Sequence, residues 1–274
     1  MQTREMKREY EVAVLDPAGN VTAIVLSDVP AAERARIAAR LLRLPELRIE
    51  QAAFLTAPRC GGEIRLEMMG GEFCGNALRC AGFYHALRTG AQGKTCVLAE
   101  ISGAEGVQPV MADTAAGEAS TVMPLPRAVQ PADWPDVQAV RVTFDGITHF
   151  VMDRAQPDDA LVQRAIAAAP EANFPAWRKR PRVNIAAGSM QPVVFVRETG
   201  SCIAETSCAS GSVATAVVLT ADFADGITEI GIGQPGGTLE VGVQRAHGAV
   251  TGLSIGGPVR LAQTLTVALA DAPC

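Results

Sequence analysis

The sequence predicts a mixed α/β protein, of the α+β kind, built from two similar halves. Three observations carry this reading. Strand-like and helix-like runs follow one another in the same order twice. A cysteine precedes a helix-like run at matched places in each half: Cys74 in Glu72-Phe73-Cys74-Gly75-Asn76-Ala77, and Cys208 in Glu205-Thr206-Ser207-Cys208-Ala209-Ser210-Gly211. Four prolines, Pro124, Pro126, Pro131 and Pro135, fall between the two runs and mark a linker, so the halves are expected at 1–125 and 136–274.

In the first half, residues 10–15 read as a strand, Asp16-Pro17-Ala18-Gly19-Asn20 as a turn and 21–26 as a second strand. Residues 31–44 are rich in Ala, Arg and Leu and are stopped by Pro45, which fits a helix. Residues 49–55 and 63–69 are strand-like. From 74 to 89, apolar Ala77, Leu78, Ala81, Phe83, Tyr84 and Leu87 carry helical spacing. Strands follow at 97–101, 106–111 and 119–123. The second half repeats the order, with strands at 137–144 and 148–152, a helix at 157–169, strands at 182–186 and 192–197, a helix at 210–223, and strands at 240–244, 248–255 and 259–267.

At 274 residues, with 48% hydrophobic and 19% charged residues, the chain can bury a sizeable core, and with few aromatics that core is aliphatic. The net charge of −5, with no basic stripe interleaved with aromatics, argues against nucleic acid as a partner. Residues 1–10 are polar and charged, and no segment has membrane-spanning length, so a cytoplasmic protein without a membrane partner is expected. The seven cysteines are odd in number and spread out, with no Cys-x-x-Cys pair, which suggests free thiols. Neither they nor His85, His149 and His247 cluster at ligand spacing, so no metal is expected.

A thiol at a helix N-terminus meets the positive end of the macrodipole and unpaired N–H groups, both of which favour thiolate. Two such thiols at one pocket, one thiolate and one thiol, could move a proton across a single carbon, which is racemisation. The small residues Gly75, Asn76, Ala77, Ala209, Ser210 and Gly211 allow a substrate carboxylate to approach the helix starts. No lysine motif for pyridoxal phosphate is evident, so no cofactor is expected. Glu72 and Glu205 are candidates for orienting these loops or capping the helices. Cys80, six residues beyond Cys74, falls on another helix face and reads as core. Cys60, Cys96, Cys202 and Cys274 carry no motif. His85 and His149 read as satisfied structural histidines, and Arg65 with Glu67 as an exposed ion pair.

The run Glu72-Phe73-Cys74-Gly75-Asn76-Ala77-Leu78-Arg79-Cys80 resembles the first catalytic motif of the diaminopimelate epimerase family, and Cys208-Ala209-Ser210-Gly211 resembles its second. Pro235-Gly236-Gly237-Thr238-Leu239, Gly19-Asn20 and Val183-Asn184 are similar to further family signatures, in the family's order. The resemblance implies two pseudo-symmetric halves, each a mixed or antiparallel sheet wrapped around a central helix. It implies catalysis by Cys74 and Cys208 without cofactor or metal. Asn20, Asn76, Asn184 and Glu205 would lie at an amino-acid substrate beside the small helix-start residues, and a homodimer is a family expectation.

Within that superfamily, Glu50-Gln51-Ala52-Ala53-Phe54, Gln234-Pro235-Gly236-Gly237 and the Glu205-x-x-Cys208 spacing are closer to the histidine racemases of opine-metallophore biosynthesis. That branch implies histidine as substrate, with Glu50 against the imidazole. The epimerase residues that hold the distal amino-acid head group are missing: Thr199-Gly200, Gly146-Ile147-Thr148-His149 and Arg65 stand in their places, and Ala209 replaces a glycine. Diaminopimelate epimerisation is the alternative reading, followed by proline-type racemisation. From another class stands a non-catalytic binder or redox sensor, in which Cys74 and Cys208 would pair on oxidation.

Overall fold

The computed structural model describes residues 7–153, 158–169, 172–173, 176–178, 187–196 and 201–270. The chain forms two units, parting between Ala119 and Ser120 and again between Gly257 and Pro258. The first contains β1 (Lys7–Asp16), β2 (Thr22–Val25), α1 (Ala31–Leu41), β3 (Gln51–Thr56), β4 (Ile64–Met68), α2 (Gly75–Arg88), β5 (Lys94–Ile101) and β6 (Gln108–Asp113). β7 (Glu118–Val122) crosses the first boundary. The second unit contains β8 (Ala128–Ala132), β9 (Ala139–Thr143), β10 (Thr148–Asp153), α3 (Asp159–Ala168), β11 (Ala172–Asn173), β12 (Ala176–Arg178), β13 (Ala187–Gln191), β14 (Val193–Val196), β15 (Ser201–Ala204), α4 (Ala209–Leu219), β16 (Gly226–Gln234), β17 (Gly237–Ala246) and β18 (Ala249–Gly256). β19 (Arg260–Ala270) returns to the first.

The repeat read from the sequence is present in the strand pairing. In the first unit the neighbours run β19-β1-β2-β3-β4-β5-β6, paired in turn antiparallel, antiparallel, parallel, antiparallel, parallel and antiparallel. In the second, β8-β9-β10-β12-β13-β16-β17 follow the same six senses. In each unit the long helix lies between the fifth and sixth strands of that order in the chain. The parallel step there is the crossover that a helix must make.

That helix is central in both units. Eleven of the fourteen residues of α2 are buried, as are eight of the eleven of α4, so neither has a polar face. α2 packs against β2, β4, β5 and β6, and α4 against β10, β13, β16, β17 and β18, which is a sheet wrapped around a helix. In the first unit the strands are buried on both faces. Ala13, Leu15, Ile24 and Ala53 pack with Leu78, Ala81 and Tyr84 of α2. Tyr10, Val12, Val14 and Phe54 pack on the other side with Ile37, Ala38 and Leu41 of α1.

Several expected elements differ. The C-terminal strand was assigned to the second half, but β19 pairs with β1 from Lys7↔Ala270 to Asp16↔Arg260, and Val267 and Leu269 complete the α1-side core. The proline-rich stretch expected as a linker holds β8, in which Pro131 is accommodated because an edge strand need not donate every N–H. β16 was not expected at all. Its alternation is blurred by glycine, and it is held as a strand by a hairpin with β17 whose two-residue connection is Pro235-Gly236. The strand expected at 182–186 lies outside the described residues.

Arg65 and Glu67 are not an exposed pair. Arg65 Nε donates to Glu67 at 2.7 Å and its Nη1 to Glu100 at 3.1 Å, with both Arg65 and Glu67 largely covered. Glu100, near the end of β5 and fully buried, also accepts from the backbone N–H groups of Arg59 (2.8 Å), Cys60 (2.6 Å) and Gly62 (3.0 Å). Burial would raise its pKa, but these four donors outweigh burial and hold it at about 2. A depressed carboxyl stabilises the fold above its unfolded pKa, and that contribution disappears as pH falls through the folded value. Glu100→Gln therefore lowers the urea midpoint at neutral pH, and the gap to the unsubstituted protein closes between about pH 4.5 and about pH 2 in denaturation series at stepped pH.

Candidate active site

The two thiols singled out in the sequence occupy the same structural place. Each is the residue immediately before its buried helix, in extended conformation: φ −135° and ψ 110° at Cys74, φ −135° and ψ 112° at Cys208. An extended N-cap followed by helical residues turns the first N–H groups of the helix outward with no backbone acceptor.

Around Cys74 the loop is fixed from below. Gly71, at φ +78°, closes a turn by donating its N–H to Met68 O at 3.1 Å. Ser102, just after β5, accepts from Met68 N at 2.9 Å and donates to Glu72 O at 3.0 Å. Gly103, at φ +72°, lies so close that a Cβ there would stand 2.2 Å from Phe73 N. Cys74 itself is half-buried. Its sulfur accepts from Ala77 N at 3.5 Å, and its thiol donates to Gln51 Oε1 at 3.3 Å.

Gln51 opens β3. Its Nε2 donates to Thr22 Oγ1 at 2.7 Å, and Thr22 donates onward to Asn20 O at 3.0 Å. Asn20 is buried and left-handed at φ +55°, a conformation Asn tolerates better than most residues. Glu50 pairs with the same segment, its N–H reaching Val21 O at 2.8 Å and its carboxylate accepting from Val21 N at 3.4 Å. Asn20 and Glu50 are thus tied to the segment that carries Gln51, whose side chain meets Cys74, and Gly75 and Asn76 open the helix itself.

Asn76 is fully buried, and its Oδ1 accepts from Arg79 Nη1 at 3.2 Å. Arg79 also donates to Ala119 O at 2.8 Å and Pro258 O at 3.0 Å, so one buried guanidinium ties the first helical turn to both places where the chain leaves and re-enters this unit. Burial pushes its pKa down to about 10. Cys80 is fully buried, and burial pushes its thiol up to about 12, so it remains protonated and serves the core.

Around Cys208 the partners differ. Its backbone N–H donates to Gln234 Oε1 at 2.6 Å, and its sulfur lies 3.6 Å from Ser210 Oγ. The Pro235-Gly236 turn docks on the same loop through Gly236 N to Thr206 O at 2.8 Å. Gln234 Nε2 is buried without an acceptor among the described residues. Ser212 caps back onto Cys208 O at 2.8 Å. Glu205 joins the loop to Pro192 O through its N–H at 3.1 Å, and its carbonyl accepts from Gln191 Nε2 at 3.4 Å. Ala209, Ser210 and Gly211 form the first turn of α4. Asn184 lies outside the described residues.

Sequence reasoning missed Gln51, Gln234 and Ser102. Gln51 and Gln234 stand in two of the runs that carry the resemblance to histidine racemases, but no role attaches to either from sequence, because their side-chain partners come from strand register. His149 was read as a satisfied structural histidine. It is fully buried on β10 and burial pushes it down to about 3, but neither ring nitrogen has a hydrogen-bond partner among the described residues. Nothing in the structure explains that. Among the described residues, no three His, Cys, Asp or Glu side chains come together as a metal site.

The fold is shared with solved structures. A PhzF-family phenazine biosynthesis protein from Bacillus anthracis aligns with a TM-score of 0.73 at 13% identity, over 95% of this chain and 99% of that one. A hydroxyproline epimerase from Agrobacterium vitis, solved with trans-4-hydroxy-L-proline, aligns with a TM-score of 0.63 at 13% identity, over 98% and 93%. The class is therefore that of the PhzF and proline-racemase-like epimerase folds. Residues 11–267 match the family model described as Histidine racemase CntK N-terminal domain, and the chain belongs to that family. It is 26% identical over 271 residues to a histidine racemase of Staphylococcus aureus (94% of this chain, 97% of that one). It is 27% identical over 276 residues to one from Fusobacterium nucleatum (92% and 96%).

The contact between Gly103 and Phe73 makes the Cys74 loop sensitive to one methyl group. Gly103→Ala combines a left-handed residue with a backbone clash, and a cost of about 2–4 kcal/mol is expected. Urea denaturation would read that loss, and any folded fraction should show a changed Cys74 alkylation rate while that of Cys208 is unchanged.

Proposed function

We propose that this protein is a cofactor-independent racemase that interconverts L- and D-histidine, with Cys74 and Cys208 as its two acid–base groups. The observation that supports this reading most is the identical N-cap conformation of two thiols on two equivalent buried helices. The substrate assignment is supported by family membership and by histidine racemases among the relatives.

In this mechanism one cysteine, as thiolate, removes the α-proton, and the C–H electron pair moves into the carboxylate as enolate-type charge. The other cysteine, as thiol, gives its proton to the opposite face of the α-carbon. The product leaves with inverted configuration and the two sulfurs with exchanged protonation states, ready for the reverse direction. Backbone N–H groups at the starts of α2 and α4 would stabilise the carboxylate charge as it grows. Glu50 would receive the imidazole N–H, and Asn20, Asn76, Asn184 and Glu205 would position the rest of the substrate.

Among the described residues, no helix is long and apolar enough to cross a membrane. The six cysteines among the described residues are free, which fits a reducing compartment, and we place the reaction in the cytoplasm. The reading carries no nucleic-acid or membrane partner. It includes a homodimer, and a D-histidine product passed to metallophore biosynthesis.

Solvent deuterium uptake at Cα tests the reaction without added cofactor. L-histidine should exchange and racemise, whereas LL-diaminopimelate and L-proline should not. Cys74→Ser and Cys208→Ser should each reduce racemisation by about 10²–10⁴. Full activity in either variant would refute the two-thiol mechanism, and exchange into another amino acid alone would refute the substrate.

A further inference from the structure

The contact between Cys74 and Gln51 carries more than packing. We infer that Gln51 is a positioning residue whose carboxamide turns over with the protonation state of Cys74, against Thr22, offering oxygen to the thiol and N–H to the thiolate. The inference rests on the proposed acid–base role of Cys74.

In the arrangement described, the Cys74 thiol donates to Oε1 and Nε2 donates to Thr22 Oγ1. This is the hydrogen-bond set for a protonated sulfur. When Cys74 gives up its proton, an amide oxygen facing the sulfur becomes a repulsive neighbour. Half a turn about the last side-chain bond exchanges Oε1 and Nε2 in nearly the same volume. Nε2 then donates to the thiolate, and Oε1 accepts from the Thr22 hydroxyl, whose single proton turns away from Asn20 O to reach it. Thr22 is fully buried and Cys80 also bonds to its hydroxyl, so its oxygen stays in place while its proton exchanges Asn20 O for Gln51 Oε1. Gln51 is itself more than nine-tenths buried, which removes competing water. No carboxylate could serve both states, since it has no donor, and no apolar residue could serve either.

The charged and titratable groups around this thiol are Arg79 and Cys80 on its own helix, Asp16 at the end of β1, Glu50 beside Gln51, Glu72 in the preceding loop, and Glu118 beyond Arg79. All six stay in place in the variants below.

The sign of one shift separates this relay from a fixed contact. A hydrogen bond to an ionised partner is about twice as strong as a neutral one, and S–H is a weak donor, so a carboxamide able to turn favours the thiolate overall. A fixed carboxamide with oxygen on sulfur favours the thiol. The measurement is the pH dependence of Cys74 alkylation by iodoacetamide in the full chain, followed by peptide mass spectrometry without substrate. In Gln51→Met the midpoint should rise by about one pH unit, with alkylation about tenfold slower below it, and in Gln51→Glu it should rise further. An unchanged or lowered midpoint in Gln51→Met overturns the relay.

If the Met variant does not fold, the unsubstituted protein still decides. With nitrogen-15 glutamine side chains, one carboxamide should shift with the Cys74 midpoint and stop titrating in Cys74→Ser; no such signal overturns the relay. Because neither readout uses substrate, failure of the histidine assignment leaves this result standing, and failure of the relay leaves the assignment standing.

Discussion

Burial of one helix on all sides within each unit is the constraint on which the rest depends. A helix without a polar face cannot satisfy its first N–H groups by lying at the surface, so its start must be capped by the incoming loop. In both units the N-cap residue is a cysteine in the same extended conformation, and at Cys74 its sulfur accepts from Ala77 N. The sheet that buries the helix also supplies the groups that hold the cap: Ser102 and Gly103 after β5 brace the Cys74 loop, and Gln234 at the end of β16 braces the Cys208 loop. These come from the corresponding strand of each unit, the one that follows the helix. The repeat therefore extends from strand order to the support of the cysteine at each helix start.

The repeat stops at the side chains. Cys74 is half-buried and meets a carboxamide through its sulfur, whereas Cys208 is buried and meets one through its backbone N–H. Arg79 anchors the first turn of α2 to the boundary residues of its unit, while the buried Arg245 of the second unit donates instead to Val217 O, at the far end of α4. Equivalent backbone thus carries unlike side-chain partners at the two helix starts.

Much of this was legible in the chain. The matched motifs around Cys74 and Cys208, with small residues after each thiol, marked both helix starts, because capping and helical periodicity are local properties. Asn20 and Glu50 were visible as polar residues in a turn and at a strand start. Elements whose stability is not local were misread. β16 is glycine-rich and exists through its partners β13 and β17. β8 contains proline and survives as an edge. β19 reads as a continuation of the second half but pairs with β1, residues from the opposite end of the sequence. Arg65 and Glu67 look like a surface pair because nothing nearby in sequence announces Glu100, which is 35 residues away from Arg65 and fully buried beneath it.

The sequence by itself determined the doubled α/β plan, the two helix-capping thiols and the racemase family, since these rest on short-range patterns that a chain carries whatever its partners. Tertiary structure alone decided which groups serve those thiols. Gln51 reaches Cys74 across 23 residues and Gln234 reaches Cys208 across 26. Those contacts depend on strand register, and a slip of one residue would turn either carboxamide to the opposite face of its sheet.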